Sequence, residues 1–397
     1  MSDIAELDTL DWDVFVERFW DRRPVLVRHL PWAPFQEDEV YQAAVRATAE
    51  LEPGLIPPNA QFTVERRQQV SRGDLLPEGA DASLAGYQKR VAERLGGRRY
   101  ALVVHGFHGF CFPQWKRERD FYAGLWQRVG LPLSGAITTL FHGTYEHSPV
   151  GVHKDRFATF MFGLSGRKRM RFWPSRPWTA PVSTVLDYQP YVADSFAAEV
   201  GPGELLYWPS SYFHVGESAG DTAATSVNIG VPREGHRAAY DLDDLLLNAD
   251  PALLADPGLG FRQFDAPAGA STAITEPAGL APAMADALRH FRQLADHQLA
   301  RRTADRSLRI RTAGGFRPVP PPAPRVPLTD GTVVRPVEEI AIAGGLCAAN
   351  GQVTSFGARL RPLLDRLRDG QPVTADGEAG RALLETLESF RAVRRDV

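Results

Sequence analysis

Cysteine is nearly absent from this 397-residue chain, with Cys111 and Cys347 the only two. Two thiols cannot build a disulfide framework or a zinc-thiolate site, so a reducing, cytoplasmic compartment is expected. Long apolar runs are missing too. No stretch approaches the roughly 18 uncharged apolar residues of a membrane helix, and the acidic opening MSDIAELDTLDWDVF lacks the apolar core of a signal peptide. Nor is there a surplus of positive charge. The 45 basic residues face 48 acidic ones, for a formal net charge of −3, so direct nucleic-acid binding is not expected. Lysine is scarce, with only Lys89, Lys116, Lys154 and Lys168 against a background of arginine. What is present is ordinary globular material, 44% hydrophobic and 23% charged. At about 150 residues per domain, the length suggests two or three domains.

Local patterns divide the chain. Residues 9–21 carry Trp12, Phe15, Val16 and Phe19 at helical spacing, with Asp11 placed to cap them. A short strand is expected after Pro24, and helices over 36–50 and 118–130. The run RYALVVHGFHGFCF at 99–112 is strand-like, while 51–95 gives no clear signal. Between 135 and 232 short apolar runs recur between turn residues: AITTLFHG, FATFMFGL, RKRMRFWP, ELLYWPS and TSVNIGV. Their number and spacing predict a sandwich or barrel. Helical spacing returns over 236–305, including the acidic run DLDDLLLNAD at 241–250, which lacks the glycine and terminal glutamate of a calcium loop. A proline-rich linker follows. Two amphipathic helices close the chain, one with Leu360, Leu363, Leu364 and Leu367, the other with Leu383, Leu384, Leu387 and Phe390. Gly370 is placed to end the first.

The chemistry concentrates in VGVHKDRFATFMFGLSGRKRMRFWP at 150–174 and GELLYWPSSYFHVGES at 203–218. His153 and Asp155 are two apart, so on a strand they project to one side and can reach one ion. His214 follows in a segment that reads as strand, proline turn and strand, and completes a set of two histidines and one carboxylate. Three ligands on one face leave octahedral positions open, as non-haem Fe(II) oxygenases require. Lys168 comes fifteen residues after His153, on the strand beyond the GLSGR turn. From there its ammonium can pair with a carboxylate of a metal-chelating acid. Asn228 and Thr159 are placed to add neutral hydrogen bonds. His105, His108, His142 and His147 lack carboxylate partners at useful spacing and are not expected to bind metal. Trp173, Trp178, Tyr188, Tyr191, Tyr207, Trp208 and Tyr212 are candidates for an aromatic cleft or for core. Asp187 and Asp194 are candidates to attract a basic side chain.

On these motifs, residues 100–235 resemble the JmjC family of Fe(II)- and 2-oxoglutarate-dependent oxygenases. The resemblance implies a mainly β core, a double-stranded β-helix of cupin or jelly-roll type. The layout resembles the ribosomal-oxygenase branch, in which a helical region dimerises and a winged helix ends the chain. It suggests a helical or mixed N-terminal extension over 1–98, the catalytic core over 99–235 and a helical, dimerising region over 236–312. The linker then spans 313–328, and a small α-rich, winged-helix-like domain spans 329–397. The resemblance gives His153, Asp155 and His214 the iron, Lys168 the distal carboxylate of 2-oxoglutarate, and Asn228, Thr159 and Thr139 places along the same pocket. The threonine that many members carry three residues before the first histidine is Val150 here, with Ser148 two earlier.

The implied activity is Fe(II)-dependent hydroxylation of a side chain in a protein or peptide, a ribosomal protein or a natural-product precursor, by a homodimer. It consumes 2-oxoglutarate and O2 and yields succinate and CO2. Two alternatives share the same residues. An N-methyl-lysine demethylase would release formaldehyde, and a cupin-like module would bind metal without turnover.

Overall fold

The computed structural model describes residues 4–49, 54–132, 134–145, 148, 150–220, 222–233 and 282–396. The chain opens with strand β1 (Ala5–Thr9), helix α1 (Trp12–Arg18) and strand β2 (Val25–His29). The Asp11 carboxylate accepts from the backbone N–H groups of Asp13 at 2.8 Å and Val14 at 3.0 Å, and so caps α1. The helix is shorter than its apolar spacing predicts: Asp11 caps its start, and Asp21 takes a left-handed φ of 54° before the chain enters β2. Helix α2 (Glu37–Ala47) follows. The segment without a clear sequence signal folds as strands β3 (Ala60–Val64) and β4 (Arg67–Gln68) and helix α3 (Leu84–Leu95).

Strand β5 (Tyr100–His105) stops well before residue 112, because Gly106 takes a left-handed φ of 65°. Helix α4 (Phe112–Val129) then begins earlier than expected, with Pro113 in its first turn, where no amide hydrogen is needed. The next strands are β6 (Ala136–Gly143), β7 (His153–Lys154), β8 (Phe157–Ser165) and β9 (Lys168–Trp173). After them come β10 (Phe196–Val200), β11 (Leu205–Trp208), β12 (Phe213–Ser218) and β13 (Ala224–Pro232). Each of the five apolar runs singled out in the sequence overlaps one of these strands, β6, β8, β9, β11 or β13. Helix α5 (Pro282–Thr312) leads to β14 (Phe316–Arg317), which pairs with β6. The expected acidic helix at 241–250, and the rest of 236–281, lie outside the described residues.

Two sheets form the core. The larger has the order β1-β2-β11-β8-β13-β6-β5-β3-β4, and the smaller has β10-β9-β12-β7. Strand alternation distributes the side chains between two interiors. Leu26, Met161, Leu206 and Trp208 from the large sheet meet Met170, Phe172, Ala198 and Val200 from the small one. Val25, Val27, Phe160, Leu205 and Tyr207 point the other way, onto Phe15, Trp115, Tyr122 and Leu125 of the helices. Each such side chain, fully buried, contributes about 1.5–3 kcal/mol. The sequence pattern placed a boundary at 98/99, but the large sheet crosses it. β2 pairs with β11, and β3 pairs with β5, so the N-terminal segment supplies strands to the same sheet.

The C-terminal part has its own apolar core, in which Val334, Cys347, Leu364, Leu367, Leu384 and Leu387 are buried. Six short strands accompany its two helices. They are β15 (Val333–Pro336), β16 (Ala341–Ala343), β17 (Leu346–Ala349), β18 (Gln352–Ser355), β19 (Val373–Thr374) and β20 (Val393–Arg395). The helices are α6 (Arg361–Arg368) and α7 (Gly377–Ser389). Gly370, at φ 78°, ends α6: its N–H donates to Leu367 and that of Gln371 to Arg366, closing the last turn. Arg119 of α4 ties this part to the core through Glu338 at 2.7 Å and Asn350 at 2.6 Å.

Candidate metal centre and its cavity

β7 and β12 are antiparallel neighbours, and the register sets His153 directly opposite His214. Asp155 lies just beyond β7 and turns back toward both rings. Its carboxylate stands 3.4 Å from His153 Nε2 and 3.5 Å from His214 Nε2. The three potential ligand atoms lie within 4.8 Å of one another, and no other such group occurs among the described residues. Each ring is oriented by the backbone. His153 Nδ1 is 2.9 Å from the Gly151 carbonyl, and His214 Nδ1 is 3.4 Å from that of Tyr212. A carbonyl only accepts, so each Nδ1 carries a hydrogen and each Nε2 can offer a lone pair to a metal.

The electrostatics agree. Burial, and then the charge of His153, push His214 down to about 4, which keeps it a neutral donor. For Asp155, burial acts upward, but the His153 hydrogen bond and both imidazoles outweigh it and lower the pKa. For His153, burial acts downward, yet the Asp155 hydrogen bond and charge raise it overall. Two imidazole nitrogens and a carboxylate held this close fit a divalent first-row metal with open positions.

The triad lies on the wall of a cavity of about 420 Å³ between the two sheets, which Lys168, Asn228, Thr159 and Thr139 also line. The sequence-predicted residues therefore come together in one place. Lys168 is 6% exposed, and its Nζ donates to Ser226 at 3.3 Å. The ammonium also stands 4.6 Å from the centre of the Phe141 ring and 5.5 Å from that of Tyr145. Burial pushes its pKa from an ordinary 10.5 down to about 7. No carboxylate of the described residues forms an ion pair with it. Asn228 is half-buried and its Oδ1 accepts from Ser226 at 3.2 Å. Thr159 and Thr139 are buried.

Ser226, Phe141, Tyr145 and Gly216 escaped the sequence analysis, although alternation along β6 and β13 would have found Phe141 and Ser226. Gly216 has an ordinary φ, and a Cβ there would stand 3.1 Å from Lys168 Cε. Its missing side chain keeps the space beside the amine open.

Other expectations need correction. Of the aromatic candidates only Trp208 lines the cavity. Trp173, Trp178, Tyr188 and Tyr207 are buried in apolar clusters, with Tyr191 and Tyr212 packed against them, because large rings are more useful in the core than on a cleft. Asp187 and Asp194 line no part of this cavity. His108 does have a carboxylate partner, Glu118 at 2.6 Å, which also accepts from Thr138; all three are fully buried on the helix side of β6. His142 bonds Tyr100 and Thr225. His147 lies outside the described residues. Lys154 is exposed.

Comparison with known proteins agrees with this core. Residues 126–236 match the JmjC domain family. The ribosomal protein uL16 3-hydroxylase of Escherichia coli (strain K12) is 24% identical over 230 residues, 56% of this chain and 54% of that protein. The chain thus matches about half the length of this curated relative. A crystal structure of the Escherichia coli ribosomal oxygenase YcfD is similar at a TM-score of 0.50 and 19% identity, over 98% of this chain and 99% of that one. A YcfD structure in complex with cobalt and 2-oxoglutarate aligns at a TM-score of 0.47 and 17% identity, with the same coverage of 98% and 99%. No helix among the described residues is long and apolar enough to cross a membrane. The family match and the two-sheet core around the triad identify a JmjC domain of cupin-like fold in this chain.

Proposed function

We propose that the chain is an Fe(II)- and 2-oxoglutarate-dependent oxygenase that hydroxylates a side chain of a protein or peptide, most simply a ribosomal protein. One observation carries this reading. Two imidazoles and a carboxylate converge in the same cavity that holds a buried ammonium with no internal counter-ion. His153, Asp155 and His214 would hold the iron, which supplies the redox chemistry that couples decarboxylation of the 2-oxo acid to oxidation of a C–H bond. Lys168 pairs with the far carboxylate of the acid and fixes its direction. Asn228, Thr139 and Thr159 offer hydrogen bonds along its length. Met170, Phe157 and Trp208 give the walls apolar surface that excludes water. The volume lies within the roughly 300–1,000 Å³ of ligand sites and leaves room for a side chain beside the acid.

The curated relative acts on a ribosomal protein, which favours that substrate class over a precursor peptide. The reading also takes the chain as a cytoplasmic homodimer joined through residues 236–312, where α5 offers a 31-residue helix. Incubation with Fe(II), 2-oxoglutarate and isolated ribosomal proteins tests it. The expected result is succinate matched by a mass gain of one oxygen atom on one protein, both lost in Asp155→Ala. Formaldehyde in place of a retained oxygen would favour the demethylase. Metal binding without succinate from any substrate would favour a binding module.

A further inference from the structure

The floor of the cavity is crossed by a row of three polar side chains. The register sets His105 opposite Thr139, and Thr139 opposite Asn228, and all three line the cavity. The row two residues along on one side holds Phe141 and Ser226, the partners of the Lys168 amine. The row on the other side holds Ile137, Gly230 and Thr159, and Thr159 faces Trp208, whose ring centre is 5.1 Å from that of His214. The row of His105 therefore lies between the ammonium and the metal ligands, beneath the middle of any molecule that spans them.

His105 Nδ1 and Thr139 Oγ1 are 3.1 Å apart. Burial lowers the His105 pKa, so at neutral pH the ring has one N–H. A hydroxyl likewise has one hydrogen. If Thr139 donates to the ring, it offers the cavity only lone pairs, which repel the oxygens of an acid. If Nδ1–H donates to Thr139 instead, the hydroxyl hydrogen is free for the cavity. A 2-oxo diacid presents only acceptors, so its binding requires the second arrangement.

We infer that His105 is a positioning residue that holds the Thr139 hydroxyl as a hydrogen-bond donor to the 2-oxo diacid. The inference rests on the proposed 2-oxoglutarate chemistry. It assigns a role to a histidine on β5, two strands from β13, that neither touches the metal ligands nor replaces Lys168. Asn228, whose Oδ1 already accepts from Ser226, is left to serve the acid through its amide hydrogens. Thr139 thus becomes the second neutral donor beneath the acid.

The test measures 2-oxoglutarate binding by calorimetry to full-length protein loaded with Mn(II) under argon, so that turnover plays no part. Thr139→Val and His105→Leu should each weaken binding roughly tenfold, the size of one hydrogen bond to a charged group. Because both act through one donor, the double variant should be no weaker than either single variant. His105→Asn, which keeps an N–H donor near the place of Nδ1, should recover most of the affinity, and all variants should melt within a few degrees of the parent. Wild-type affinity in His105→Leu, or fully additive losses, would overturn the inference. Absence of 2-oxoglutarate binding in the parent protein, unchanged by Lys168→Ala, would instead overturn the cosubstrate reading beneath it.

Discussion

Lys168 gives the account its sharpest quantitative consequence. Its amine is held between the sheets with one hydroxyl and two ring faces for company. The lowering from 10.5 to about 7 corresponds to lost solvation on the order of 5 kcal/mol, at about 1.36 kcal/mol per tenfold. The sign follows directly. Below about pH 7 the free protein presents an ammonium, and above it an uncharged amine. A dicarboxylate needs the ammonium. The ratio kcat/KM for 2-oxoglutarate should therefore be level below about pH 6, fall to about half its plateau near pH 7 and reach about one-tenth near pH 8. With the acid bound, the ion pair restores the charge, so kcat should be nearly level over the same range. Binding at pH 8 should take up close to one proton, which calorimetry in buffers of different ionisation enthalpy reads directly. Lys168→Arg should carry its plateau past pH 8, because a guanidinium keeps its charge. Lys168→Ala should lose about 1.5–3 kcal/mol of binding, or roughly 10- to 150-fold. A kcat/KM that is level to pH 9 in the parent, or wild-type affinity in Lys168→Ala, would refute this reasoning.

Asp155→Ala should weaken Fe(II) binding by more than about 100-fold, beyond the loss typical of an outer-shell partner, as equilibrium dialysis would measure. Asp11→Ala removes the two N-terminal bonds of α1 and should cost about 1 kcal/mol in urea unfolding. Glu118→Leu strands His108 and Thr138 in the core and should cost about 3 kcal/mol. It should leave 2-oxoglutarate affinity unchanged, because that cluster is on the helix side of β6. Gly216→Ala places a methyl 3.1 Å from Lys168 Cε and should raise KM for 2-oxoglutarate without lowering the melting temperature appreciably.

The centre of the molecule was legible because its signals are short-range. HxD at the end of a strand and a lysine on the second strand after it are local spacings, and strand geometry turns such spacing into position, while the pairing of β7 with β12 brings His214 to them. The apolar runs of 135–232 were legible for the same reason, since β11 buries Leu205 and Tyr207 on one face and Leu206 and Trp208 on the other. The N-terminal boundary was not legible. β2 and β3 join the large sheet through pairings with β11 and β5, and only the folded register reveals such partners. The C-terminal strands, four residues or fewer, are too short to show alternation. His108 looked partnerless because Glu118 reaches it from a different element, α4. The sequence did not single out His105 among its neighbouring histidines, because the pairing with Thr139 across β5 and β6 appears only in the folded register.

Anomalous diffraction at the iron edge, from crystals grown anaerobically with Fe(II) and 2-oxoglutarate, addresses the metal site most directly. The account predicts a single peak within about 2.0–2.2 Å of His153 Nε2, His214 Nε2 and an Asp155 oxygen, with the acid reaching from that ion to Lys168. A peak bound by other residues, or diacid density that avoids the Lys168 amine, would contradict it.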